Sequence, residues 1–221
     1  MFMKMKLQIV LLAGLLLIGF GGTDVLAFQL GAREASEWIK TLDRPTRVAE
    51  MKIEAVIPLL QLQPGDIVVD IGSGSGQFSI PLARAVAPGG KLIAEDIHPG
   101  LLTHVELRAK EFKVTNLQTV RGEVDDPKLP ELVDLAFFHD VLHHIEHRAV
   151  FLQSLAKYIK PDGRVAIIDI DKDHPRASHK DDPVYTISQN DITGWMRDAG
   201  FSLVEEHNDL FDRKIFLIFA R

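Results

Sequence analysis

The 221-residue chain contains no cysteine. Disulfides, thiolate zinc sites, iron–sulfur clusters and a cysteine nucleophile are therefore excluded. The redox compartment stays open, because a cysteine-free chain folds equally well on either side of a membrane. An excess of positive charge is also missing. Lys and Arg number 25 against 31 Asp and Glu, and the basic residues are scattered. A surface that grips a phosphate backbone is not expected, so nucleic acid is not an expected partner. No repeat or low-complexity block interrupts the chain. Hydrophobic residues at 46% supply enough material for one sizeable core.

The first residues have a composition of their own. Lys4 and Lys6 precede an apolar run over 7–20, and small residues lead to Val25-Leu26-Ala27. The run falls short of the roughly 20 apolar residues that span a bilayer. Basic start, short apolar stretch and small residues before a cut after Ala27 describe a signal peptide, with an uncleaved membrane anchor as the alternative. Residues 1–27 are set apart on this ground, and the protein is expected to be membrane-associated or exported (periplasmic). A cytoplasmic face stays open. Residues 28–62 form a helical segment, and 63–221 the main domain.

Helical spacing of apolar residues predicts helices over 33–42 and 46–60. From Pro64-Gly65 onward, strands and helices alternate. Strands are predicted over 67–71, 91–97, 117–121, 132–138, 164–170, 201–206 and 214–220. Helices are predicted over 77–87, 100–112, 147–159 and 188–199, the last capped by Ser188 with Asp191. Pro161-Asp162-Gly163 reads as a turn. Such alternation implies an α/β fold: a doubly wound, seven-stranded Rossmann-like sheet, mostly parallel. The connection over 208–213 is too short for a crossover, so the last strand is expected to run antiparallel. In an open sheet of this kind, ligands bind beyond the carboxyl ends of the strands. Gly72 to Gly76, Asp96, Glu123 and His139 then share one rim.

The most informative segment is Val68-Val69-Asp70-Ile71-Gly72-Ser73-Gly74-Ser75-Gly76. Its glycines let the backbone turn sharply and let a ligand approach without an intervening side chain. The dinucleotide pattern Gly-x-Gly-x-x-Gly fails, because Gln77 holds its last position, and no Gly-Lys-Ser/Thr follows for a P-loop. Asp70 would repel a pyrophosphate but suits an ammonium group. Asp96, ending the second strand, is placed to hydrogen-bond ribose hydroxyls. Glu123 follows the third strand, where an acceptor atom can meet an adenine amino group.

These pieces together resemble the class I S-adenosylmethionine (SAM)-dependent methyltransferases. The matching stretches are Val69 to Gly76, Glu95-Asp96-Ile97-His98-Pro99, Gly122-Glu123, Val133-Asp134-Leu135 with Asp140-Val141-Leu142-His143-His144, and Lys160-Pro161-Asp162-Gly163-Arg164. They cover about residues 64–169 in the family's order. The resemblance implies SAM as cofactor and a methyl acceptor that is a small molecule or lipid. It implies that Gly72, Ser73, Gly74 and Gly76 form the loop under the methionine part, and that Asp70 helps to hold its amino group. Asp96 and Ile97 meet the ribose, Glu123 and Val124 the adenine, and His139 with Asp140 border the sulfonium. The family usually has Asp where Glu123 stands. Export would separate such a domain from the cytosol, where SAM is made.

The histidines leave three readings open. His143 and His144 are packing residues, or they act with Asp140 as a general base or in positioning the acceptor. Alternatively, helical spacing puts His143 and His147 on one face, as a metal pair requires. The first two are favoured over a metal. His174 and His179 lie in a long polar stretch over 171–185, read evenly as acceptor contacts or solvated loop. The rival functions are a non-catalytic SAM-binding protein and a nicotinamide-dependent oxidoreductase.

Overall fold

The computed structural model describes residues 33–174 and 187–221. The segment over 1–27, His179 and most of the 171–185 stretch therefore lie outside the described residues. Among the described residues, no helix is long and apolar enough to cross a membrane.

Continuous β-branched and aromatic runs build the sheet. In order along the chain they are β1 (Ile67–Ile71), β2 (Lys91–Asp96), β3 (Leu117–Arg121), β4 (Val133–His139), β5 (Ile159–Ile170), β6 (Ser202–Glu206) and β7 (Lys214–Ala220). The sheet order is β3-β2-β1-β4-β5-β7-β6. Strands β1 to β5 pair in parallel, and β7 runs antiparallel to both β5 and β6. The expected antiparallel last strand is thus observed.

Alternation along each strand divides the core between the two faces. Val69, Ile71, Ala136, Phe138, Val165, Ile167, Leu217 and Phe219 pack on one side. Val68, Leu135, Phe137, Ala166, Ile168, Phe216 and Ile218 pack on the other. The helices α1 (Ala35–Leu42), α2 (Pro45–Glu50), α3 (Ile53–Leu59), α4 (Ser79–Ala85), α5 (Pro99–Glu111), α6 (Arg148–Leu155) and α7 (Gln189–Asp198) accompany this sheet. A strand such as β4, buried on both faces, reads as an unbroken apolar run for this reason.

Three local expectations change. The helix expected over 46–60 is two helices, because Lys52 takes a left-handed conformation (φ 48°) and its Nζ donates to Leu210 O at 2.6 Å. The break leaves Met51 buried in the core. The helix expected to end at residue 159 stops at Leu155, and after a 3-10 turn Ile159 already pairs with Val133. Pro161-Asp162-Gly163 is therefore an irregularity within β5, where the register shifts between Val133 and Leu135, rather than a turn before the strand.

Ser188 caps α7 as expected: its Oγ accepts from Asp191 N at 3.0 Å, and Asp191 Oδ2 accepts from Ser188 N at 3.0 Å. Replacing Ser188 by Ala should lower the unfolding free energy by about 1 kcal/mol. Urea titration reads this as a lower midpoint at unchanged slope; an unmoved midpoint would show that the cap contributes nothing.

Candidate active site

The parallel strands all end at one rim, and the turn after β1 is pinned there by carboxylates. Glu95 Oε2 accepts from Gly72 N at 3.2 Å, and Asp96 Oδ2 accepts from Gly74 N at 3.0 Å. The other Asp96 oxygen accepts from His98 N at 2.9 Å. Asp70 Oδ2 accepts from Ser79 Oγ at 2.6 Å. Gly72 has φ +61°, and a Cβ there would collide with the Val141 side chain. Only glycine satisfies both demands. A Cβ at Gly122 would strike the Glu95 carboxylate and displace it.

Three buried acids side by side are costly when ionised. Burial pushes Asp70 up to about 7, the Ser79 hydrogen bond opposing and the Asp96 charge assisting. Burial and the Asp96 and Asp70 charges hold Glu95 well above the usual carboxylate range. Asp96 is raised as well, mainly by burial, with the backbone N–H donors working against the shift.

A cavity of about 540 Å³ opens over this rim. That volume suits a small-molecule ligand. Asp70, Gly72, Ser73, Gly74, Asp96, Ile97, Glu123, Val124, His139, Asp140, His143 and His144 all line it. Gly76 is the exception. Its missing Cβ faces Val105 and Arg108 of α5 rather than the cavity, so its φ of +77° serves the turn and the packing behind it.

The histidines separate. His143 lies in a 3-10 turn (Leu142–His144), not on a helix shared with His147, so the single helical face does not form. His143 Nδ1 meets Asp169 Oδ1 at 2.6 Å, and His143 N donates to Asp169 Oδ2 at 3.2 Å. Its carboxylate partner is therefore Asp169, not Asp140. An ionised carboxylate only accepts, so Nδ1–H donates to Asp169 and Nε2 is the ring nitrogen left for other partners. His144 packs against His143 with ring centres 4.0 Å apart. His147 instead meets Asp125 at 2.9 Å. His174 N donates to Asp171 O at 3.2 Å, and this histidine is not on the cavity wall.

Asp140 has partners of its own. Lys214 Nζ and Arg47 Nη1 reach its Oδ2 at 2.8 and 3.3 Å. Burial works against ionisation of Asp140, but the neighbouring His139, Lys214 and Arg47 prevail and hold its carboxyl below the usual carboxylate range. Burial pushes the adjacent His139 down to about 3; the Asp140 charge opposes the shift, and Lys214 and Arg47 assist it. His139 is neutral at physiological pH.

The N-terminal helices also reach the cavity. Trp38, Thr41 and Leu42 of α1 and Arg47 and Glu50 of α2 line it. They are tied to the main domain through Asp43, which accepts from Gln77 Nε2 at 2.8 Å and lies 3.8 Å from both His104 and Arg108. His98 Nε2 adds a bond to Arg33 O at 2.9 Å. Amphipathic patterning marked these helices as packed, but not as walls of a site. Lys214, Arg47 and Asp169 carried no motif in the sequence.

Comparison with known proteins bears on this geometry directly. Residues 62–200 match the family model described as a methyltransferase domain. The chain belongs to that family. It is similar to the mitochondrial ubiquinone biosynthesis O-methyltransferase of Schizosaccharomyces pombe, with 32% identity over 49% of this chain and 39% of the relative. It is similar to the tRNA U34 carboxymethyltransferase of Ruthia magnifica, with 31% identity over 71% of this chain and 52% of the relative. The chain thus spans about half the length of the curated relatives it matches. A SAM-dependent methyltransferase structure from Aquifex aeolicus shares the fold, with TM-score 0.73 at 24% identity over 85% of this chain and 98% of that one.

The wall fits SAM. The second lone pairs of Asp96 and the buried Ser73 Oγ, which has no partner among the described residues, offer contacts for a polar nucleoside.

The acid cluster predicts a pH dependence. Asp70 has a folded-state pKa raised above its unfolded value, so the folded protein binds more protons between the two. Stability without ligand should therefore fall as pH rises from about 4 to about 7. Asp70→Asn should flatten that fall. Unfolding titrations of both proteins at pH 5 and 7.5 test this, and equal slopes would refute it.

Proposed function

We propose that this protein is a SAM-dependent methyltransferase acting on a small-molecule or lipid-like acceptor with a removable proton. The carrying observation is one cavity that joins the glycine loop and Asp96 to His143, which is backed by Asp169.

Bound SAM supplies an activated methyl group, so the chain's own residues mainly position and desolvate. Gly72 and Gly74 let the backbone approach the methionine part, while Asp70 favours its ammonium. Asp96 accepts from the ribose hydroxyls, and Glu123 with the Val124 backbone meets the adenine. His139 and Asp140 flank the methyl-bearing end. His143 takes a proton from the acceptor at Nε2 while Nδ1–H stays on Asp169, whose carboxylate also holds Ile170 N at 2.7 Å and cannot turn away. His144 helps to place the acceptor. Phenols and enols need such a base; an already nucleophilic nitrogen or sulfur does not.

Relatives named for ubiquinone and menaquinone biosynthesis support an acceptor of this kind. The basic and apolar segment over residues 1–27 supports a membrane-surface location for such a compound.

Labelled SAM incubated with fractionated cell extract, lipids included, should yield a labelled product. His143→Ala and Asp169→Asn should each slow its formation by about 10² to 10⁴. Their affinity for S-adenosylhomocysteine should stay near that of the unaltered protein. Undiminished turnover by His143→Ala would remove the base from the mechanism, and absence of turnover with every fraction would leave a non-catalytic binder.

A further inference from the structure

Three separate elements bring charge to the cavity wall above β4, β5 and β7. Asp140 follows β4, Lys214 opens β7 opposite Ile170, and Arg47 comes from α2. Both cations converge on one oxygen of Asp140, at 2.8 and 3.3 Å. One ammonium and one guanidinium against one carboxylate leave one positive charge in excess within this trio, and Asp140 Oδ1 has no hydrogen-bond partner among the described residues. His139 beside them is neutral and cannot offset it. Arg213 lines the same wall and makes no ion pair among the described residues. Glu50 and Glu146 also reach the wall, and neither pairs with these cations among the described residues.

The arrangement also has unused capacity. Arg47 is partly open to the cavity, at 31% side-chain exposure, and its buried Nε has no hydrogen-bond partner among the described residues. A guanidinium carries five donors in a planar fork that matches a carboxylate. Asp140 itself is held at φ 53°, a left-handed conformation that costs an Asp about 1 kcal/mol and persists only where its surroundings impose it.

We infer that Arg47 and Lys214 form a carboxylate-binding subsite, so that the methyl acceptor is an organic acid. This rests on the methyltransferase reading above. It adds the handle by which the acceptor is held, on the side of the cavity away from Asp96. A cationic acceptor would be repelled both here and by the sulfonium, whereas an anion is drawn to both.

Calorimetry on the full chain tests it, with benzoate and the isosteric neutral benzamide as probes. S-adenosylhomocysteine is titrated first, and the saturated protein then receives each probe. Benzoate should bind at least about ten-fold more tightly than benzamide. Arg47→Gln and Lys214→Gln, on different elements, should each remove about that preference and change the S-adenosylhomocysteine affinity by less than about three-fold. Equal binding of the two probes, or a preference that survives both substitutions, overturns the subsite alone. Loss of S-adenosylhomocysteine binding in both variants marks the cluster as a latch and overturns it too. Failure of the unaltered protein to bind S-adenosylhomocysteine overturns the methyltransferase reading as well as the subsite.

Discussion

Buried carboxylates gripping backbone N–H groups hold the rest of the site in place. Glu95 and Asp96 each take an N–H from the turn after β1, and Asp70 below is bound to Ser79. These acceptors hold the turn in which Gly72 and Gly74 keep positive φ. The cost is electrostatic: three acids are removed from water next to each other, and their protons are held more tightly as a result. A ligand that brings positive charge and hydroxyl donors relieves that cost. The cost of burying these acids and the selectivity for such a ligand thus have the same origin.

The sheet order distributes the chemistry around this point. Strands β1, β2 and β3 end under the half of the cavity that carries Asp70, Glu95 and Asp96. Strands β4, β5 and β7 end under the other half, where Asp169 orients His143 and two cations surround Asp140. The antiparallel course of β7 matters here, because it brings the start of that strand, and with it Lys214, to the rim where the parallel strands finish. Helices α1 and α2 close the cavity from the side, anchored by Asp43 and His98.

Much of this was legible in the sequence, for identifiable reasons. The ends of β1, β3 and β7 agree with expectation to the residue: β1 stops before Gly72, β3 before Gly122, and the apolar run of β7 lies between Lys214 and Arg221. The glycine turn and Asp96 announce themselves by local spacing alone. What stayed hidden depends on distant pairing. The break at Lys52 is accompanied by a bond to Leu210, 158 residues along the chain. Arg47 and Asp140 lie 93 residues apart, and Asp169 looked like one more strand residue until the fold placed it behind His143. Gly76 illustrates the opposite error: its motif position suggested ligand contact, whereas the fold spends its small size on packing against α5.

The central claim is that a cation-bearing nucleoside settles on the acid cluster. Calorimetric titration with S-adenosylmethionine at pH 6.5, in two buffers of different ionisation enthalpy, measures this most directly. Binding should be detected, with heats that differ between buffers because protons leave Asp70 and its neighbours as the ammonium arrives. Absence of binding heat for this ligand, with NAD binding well in its place, would contradict the account.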